Sequence, residues 1–194
     1  MILRDKNHPC IISYSLANEA TTWEDGSKSY FEELVNYTRT LTSKPLTIVE
    51  NNSAYNSKVA HLFDIIGINK YNAWYVEHGD LDTIHEGLSR ELKMWNEAYH
   101  KPLIVTEFGA DTIEGNHSLP SETFSEEFQV EFLNEFCKVF DELSFICGEH
   151  IWNCADFKTT EGLNRVRGNR KGVFTRDRQP KMAAHYLRQR WKDK

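Results

Sequence analysis

The 194 residues are 40% hydrophobic and 27% charged, a soluble globular balance that suits one core and is short for two domains. Lys and Arg number 23 against 29 Asp and Glu, a formal charge of -6, which argues against nucleic acid or an anionic membrane surface as a partner. No apolar stretch nears the roughly 20 residues that a membrane-spanning helix needs, and Met1-Ile2-Leu3 turns polar too soon for a signal peptide. Four cysteines, Cys10, Cys137, Cys147 and Cys154, form no CxxC pair and no metal-ligand spacing. Three of them lie in apolar runs, so buried free thiols in a reducing, cytoplasmic compartment are expected, with no metal and no cofactor.

In chain order, the β-rich apolar runs are Cys10–Leu16, Leu46–Val49, Phe63–Ile68, Leu103–Thr106 and, weakest, His150–Trp152. Pro9, Pro45 and Pro102 stand directly before three of them, where a strand entrance tolerates proline. Between the runs lie amphipathic helical patterns. Phe31, Leu34, Val35, Thr38 and Leu41 share one face, and Ile84, Leu88, Leu92 and Trp95 share another. Phe128, Phe132, Phe136, Val139 and Leu143 form an aromatic-rich stripe, read as core. A short helix is expected within 53–62, and a last helix from Pro180 through Tyr186 and Leu187. No linker or internal domain boundary interrupts residues 1–194. The alternation is that of an α/β protein with a parallel sheet. Five βα units fit a doubly wound sheet, whereas an eight-unit barrel needs about 250 residues, so this length would supply only part of one.

Function in such architectures collects at the carboxyl ends of strands. Here those ends read Asn18-Glu19, Glu50-Asn51, Asn69-Lys70-Tyr71 with Trp74 and Tyr75 behind, Glu107-Phe108-Gly109, and Trp152-Asn153 leading to Asp156. Two carboxyl groups among amides and aromatic rings suit glycosidic cleavage, one protonated to assist the leaving oxygen and one ionised to attack or to activate water. Trp152 or Trp74 would offer a platform for a sugar ring. A carboxylate at a strand end is otherwise solvated or caps the following helix. Glu50 and Glu107 each stand five residues after a proline, and spacing alone does not choose between them.

These stretches resemble the catalytic domain of glycoside hydrolase family 2, and within it the β-glucuronidases. The likeness runs through Arg4-Asp5-Lys6-Asn7-His8-Pro9, Ser15-Leu16-Ala17-Asn18-Glu19, Ile104-Val105-Thr106-Glu107-Phe108-Gly109, Trp152-Asn153-Cys154-Ala155-Asp156-Phe157 and the segment 168–178. The resemblance implies a (β/α)8 TIM barrel of which the chain carries strands four to eight, residues 1–194 being its C-terminal part. It further implies a retaining mechanism with Glu19 as general acid/base and Glu107 as nucleophile, and no catalytic carboxylate at Glu50. By the same resemblance Asn18 would bind the sugar 2-hydroxyl, Tyr71 would contact the nucleophile, and Tyr75 and Trp152 would border the sugar. Ala20 departs from the usual proline, Phe108 from a common tyrosine, and Asn72 from an aromatic residue of some relatives.

Specificity would rest on Asn169 and Lys171, an amide and an ammonium suited to a C6 carboxylate, with Arg165 near enough in sequence to assist. The plainer alternative is a solvated basic loop made of Arg165, Arg167, Arg170, Lys171, Arg176 and Arg178. The expected substrate is therefore a β-D-glucuronide, with a β-galactosidase or β-galacturonidase as the alternative within the family. Trp23-Glu24-Asp25-Gly26 reads equally as a loop over the site or as a turn before a helix. Relatives also use an upstream Asp and His. A part-barrel with exposed edge strands is expected to have little activity alone and to associate with itself or another chain.

Overall fold

The computed structural model describes residues 1–192. Its elements run α1 (Ile2–Asp5), β1 (Tyr14–Asn18), α2 (Ser27–Leu41), β2 (Leu46–Glu50), β3 (Ile65–Asn69), α3 (Asp82–Tyr99), β4 (Leu103–Glu107), α4 (Glu126–Glu142), β5 (Ile146–Glu149) and α5 (Met182–Lys192). The strands form one sheet in the order β1-β2-β3-β4-β5. The β1–β2 and β2–β3 pairs are parallel, with Thr47 opposite Ile65 and Glu50 opposite Ile68 in the second pair. A doubly wound sheet reverses direction at a switch point. This order never reverses, so each crossover advances the same way, as in a (β/α) barrel wall.

Two compact units make up the chain. The first comprises Met1–Asn69, Glu91–Val105 and Phe145–Gly148. Its strands are short, branched and bounded by proline or polar residues, and β2 is buried along its whole length. Against them pack Phe31 and Val35 of α2 with Tyr14, Leu46, Ile48, Val59 and Phe63, all buried. The helix pattern at 31, 35 and 38 is what puts these residues on one face. The second unit comprises Lys70–Arg90, Thr106–Ser144 and Glu149–Lys194. Its core is the α4 stripe. Phe132 stacks on Phe136 at 4.7 Å and Phe136 on Phe108 at 5.4 Å, while Phe140 meets Phe108 edge-on at 5.0 Å. Ser125 caps α4, its hydroxyl accepting the Phe128 N–H at 3.1 Å.

Four readings of the sequence need correction. The first strand begins at Tyr14 rather than Cys10, because residues 10–13 form no ladder and Ile12 is exposed. The last strand is Ile146–Glu149, ahead of His150–Trp152; polar flanks hid it, and the Trp152 N–H instead bonds the Phe108 carbonyl at 2.9 Å. Within 53–62 only Ala60–Leu62 turns, as a 3₁₀ segment. The cysteines are free, but only Cys137 is buried, its thiol pushed up to about 12 by burial; Cys10, Cys147 and Cys154 are exposed. Apolar neighbours alternate faces along an extended chain, so an apolar run does not bury each of its members. Helix α5 starts at Met182, two residues after Pro180. No helix among the described residues is long and apolar enough to cross a membrane.

Candidate active site

In the first unit, β1 ends at Asn18 and hands the chain to Glu19, which sits exposed in the left-handed region at φ 51°. A non-glycine residue there costs on the order of 1 kcal/mol, a strain that collects at functional positions. Its N–H bonds the Val49 carbonyl of β2 at 2.9 Å, which fixes that backbone. Asn69, buried at the end of β3, donates its side-chain amide to Glu19 Oε1 at 2.8 Å and to Asn18 Oδ1 at 3.3 Å. One amide therefore orients two candidate residues. Because Asn18 Oδ1 already accepts, its own N–H2 group is the end that can donate to a ligand hydroxyl. Nothing in the sequence analysis assigned Asn69 a role; its position at a strand end was the available signal.

Glu50 ends β2 in a different state. It is fully buried, and the hydroxyls of Thr22 and Ser57 donate to its two oxygens, both at 2.7 Å. Burial pushes its carboxyl above the ordinary glutamate value, and the two hydroxyl bonds only partly oppose that. A carboxyl so enclosed serves the fold of its loops.

In the second unit, Glu107 ends β4 and accepts the Tyr71 hydroxyl on Oε2 at 2.7 Å. The next glycine is required sterically: a Cβ on Gly109 would lie 2.1 Å from the Trp152 carbonyl oxygen. Behind it, Lys171 and Asn169 are fully buried rather than part of a solvated loop. The Lys171 ammonium bonds Asp111 Oδ2 and lies 5.8, 5.0 and 4.8 Å from the ring centroids of Tyr71, Trp74 and Tyr75. Three aromatic faces and one carboxylate together stabilise a cation that has left water. Asn169 Oδ1 accepts the Lys171 N–H at 3.2 Å and faces Asn153 Nδ2 at 3.5 Å. The Tyr71 and Tyr75 rings meet edge-on at 5.0 Å, and Arg165 Nη2 lies 3.4 Å from the Tyr75 hydroxyl. Trp152 is half-buried with its ring 6.2 Å from Phe157. Trp74 is fully buried against Phe124 and cannot serve as an exposed sugar platform; its place one turn inside the 71–75 segment packs it inward.

Further charges hold this loop. Asp111 Oδ1 accepts the Arg170 backbone N–H at 2.6 Å. Asp156 receives Lys181 at 2.9 Å, Arg170 at 3.2 Å and the Gly172 N–H at 3.0 Å. Lys181 also donates to the carbonyls of Thr112 and Arg170. Of the six basic residues read as one loop, Arg170 and Lys171 thus spend their charge on internal acids. Asp111 and Lys181 escaped the sequence analysis; a lone carboxylate after the apolar Phe108-Gly109-Ala110 was the only hint of the former. No group of three or more His, Cys, Asp or Glu among the described residues is arranged to hold a metal ion.

The model of the glycosyl hydrolases family 2 TIM barrel domain matches residues 1–194. The chain belongs to that family. A β-glucuronidase of Paenibacillus borealis is 47% identical over 192 residues, which is 98% of this chain and 32% of that protein. The solved β-D-glucuronidase of Dictyoglomus thermophilum superposes with a TM-score of 0.94 at 51% identity, over 98% of this chain and 33% of its own. The β-glucuronidase from Ruminococcus gnavus in complex with D-glucaro-d-lactam gives a TM-score of 0.92 at 42% identity, over 98% of this chain and 34% of its own. The chain spans about a third of the length of the relatives it matches.

Proposed function

We propose that residues 1–194 are the C-terminal part of a (β/α)8 catalytic barrel, with β1 to β5 as its strands four to eight. The protein carrying them cleaves β-D-glucuronides with retention. Glu107 attacks the anomeric carbon while Glu19 gives its proton to the departing aglycone oxygen, leaving an ester between sugar and Glu107. Glu19, now ionised, takes a proton from water as that water attacks the same carbon, and Glu107 is released. Asn18, oriented by Asn69, binds the 2-hydroxyl, a contact that strengthens in the transition state. Lys171, Asn169 and Arg165 hold the C6 carboxylate, with Tyr75 and Trp152 beside the ring.

The observation that carries this reading is the position of Tyr71. Its hydroxyl bonds Glu107 and its ring faces the Lys171 ammonium. A nucleophilic carboxylate at the hydroxyl of one tyrosine and a cation over its ring match a substrate that is electrophilic at C1 and anionic at C6. Asp111 takes one of the three ammonium N–H groups and orients the lysine. The relatives named β-glucuronidase support the same assignment.

Hydrolysis of an aryl β-D-glucuronide by the protein that carries the chain tests the reading. Glu107→Gln should lower kcat by on the order of 10⁴ or more, and the first-formed sugar should be the β anomer by NMR. Equal rates, or an α product, would refute it. A reducing, cytoplasmic setting is also part of the proposal. Self-association through the outer edges of β1 and β5, the first and last strands of the sheet order, is part of the proposal and is read by light scattering.

A further inference from the structure

Two loops of the first unit, 20–26 after Glu19 and 51–58 after β2, enclose an open cleft of about 430 Å³. Trp23, Asn52, Tyr55, Asn56 and Lys58 line it. We propose that this cleft is a subsite for a neutral pyranose ring, on the leaving-group side of the reaction assigned above. Its place in that reaction rests on that reading; the binding itself does not.

The walls are built to hold a shape. Beneath them, the buried Glu50 accepts from Thr22 of one loop and Ser57 of the other. The Lys58 N–H bonds the Thr22 carbonyl at 3.0 Å, and the Tyr99 hydroxyl bonds the carbonyls of Ala54 and Ser57 at 2.9 and 3.1 Å. Ser27 adds a bond to the Thr22 carbonyl at 2.9 Å. The loops are thus tied before any ligand arrives, and preorganised walls lower the entropic cost of binding. The volume falls in the range of small-ligand sites.

The lining selects the ligand class. Trp23 and Tyr55 leave 42% and 69% of their surface in water although both carry large apolar faces. Such faces match the C–H face of an equatorially substituted sugar. Asn52 uses its Oδ1 twice, for the Ser53 N–H at 2.9 Å and the Asn56 amide at 3.2 Å. Its Nδ2 is shielded from water and has no acceptor among the described residues, so Asn52 braces this wall and the two rings are what meet the ligand. The lining's single cation, Lys58, is paired with Asp25, so the cleft offers no unmet charge to an anionic ring. Glu19, four residues before Trp23 on the same loop, is the group assigned to protonate the departing oxygen. A sugar leaving group would therefore extend from Glu19 towards this loop.

Titration of the chain with cellobiose, read by saturation-transfer NMR and calorimetry, tests the proposal. Binding in the millimolar range is expected, with Trp23 and Tyr55 giving the closest ligand contacts. Trp23→Ala and Tyr55→Ala should each weaken binding at least fivefold, and Tyr55→Phe, which keeps the ring, should restore most of it. Both side chains sit in exposed positions, so circular dichroism should report an unchanged fold for all three variants. Sorbitol, an acyclic polyol without a flat face, should not compete. Equal affinity for cellobiose and sorbitol, unchanged binding in both alanine variants, or no binding at 20 mM would overturn the subsite. Cellobiose binding together with no aryl glucuronide hydrolysis by the protein that carries the chain would sink the reaction assigned above and leave the subsite standing.

Discussion

The two compact units bury their carboxyl groups by opposite means. In the first, Glu50 is enclosed by two hydroxyl donors. In the second, Asp111 and Asp156 are enclosed by Lys171, Lys181 and Arg170. The chemical consequences diverge. With no cation in contact, burial raises the Glu50 carboxyl, and the hydrogen bonds suit either protonation state because a hydroxyl can rotate to donate or accept. Burial also raises Asp156 and lowers Lys181, but there each partner opposes the other's loss of charge. A hydroxyl-bound carboxyl can fasten two loops at modest cost. An ionic network fixes a loop more firmly, and removing one member strands a charge. The difference suits the proposed tasks: loops of the first unit bracket a neutral ligand, while the second unit must hold a lysine in place for an anion.

The largest effect should come from breaking the ionic network. Asp156→Ala leaves the buried Lys181 ammonium without its counter-charge and the Gly172 N–H without its acceptor, and should cost about 3–5 kcal/mol in urea unfolding of the chain. The two segments are in close backbone contact, since a Cβ on Gly172 would lie 2.2 Å from the Asp156 backbone nitrogen. A loss no larger than that caused by the hydroxyl deletions described below would erase the contrast between the units. Next in size is the Asp111–Lys171 pair. Each single change, Asp111→Leu or Lys171→Met, should destabilise, and the double variant should recover part of the loss. A double-mutant cycle should return a coupling of about 2 kcal/mol. Additive losses would mean that the aromatic rings alone stabilise the ammonium.

These contrasts also explain which parts were legible in the sequence. The helices at 31–41, 84–95 and 128–143 were readable because apolar side chains at helical spacing have one way to be buried. Strands β2 and β4 were readable because each follows a proline and is apolar or β-branched up to its closing glutamate. β5 was not, since Ile146-Cys147-Gly148-Glu149 mixes small and polar residues, and the hydrogen bonds that make it a strand come from residues far away in sequence. Glu50 and Glu107 share a local pattern, and only three-dimensional neighbours distinguish them: Thr22 and Ser57 for one, Tyr71 for the other. Asp111 and Lys181 were invisible for the same reason. Ion pairs between residues 60 apart in sequence, as Asp111 and Lys171, or 25 apart, as Asp156 and Lys181, leave no periodicity to read.

Within the first unit, effects should be smaller. Thr22→Val and Ser57→Ala each remove one neutral hydrogen bond and should cost about 1 kcal/mol. Both should also loosen the cleft, so cellobiose binding should weaken with stability; full retention would show that Glu50 does not shape those walls.

The smallest and most diagnostic change is Glu50→Gln, followed across pH. The folded-state carboxyl lies above its unfolded value because burial disfavours the charged form. At a pH below the unfolded carboxylate range, about 4, both states are protonated and folding carries no penalty from this group. As pH rises through that range, the unfolded chain releases its proton first, so the folded state loses relative stability until the raised value is passed. Glutamine never ionises. The stability of Glu50→Gln minus that of the wild-type chain should therefore grow as pH rises from 4 to 7 and level off above. Glutamine's N–H2 must still find an acceptor, and the Thr22 or Ser57 hydroxyl can turn to supply one. Asp156→Asn should start from a deeper loss, because Lys181 gives up its counter-charge, although the raised Asp156 carboxyl gives its pH profile the same direction of slope. Equal losses for the two variants at neutral pH would mean that hydroxyl and ionic enclosure are energetically alike. A profile that falls with pH for Glu50→Gln would mean that the buried glutamate is held ionised by charges other than its two hydroxyl donors.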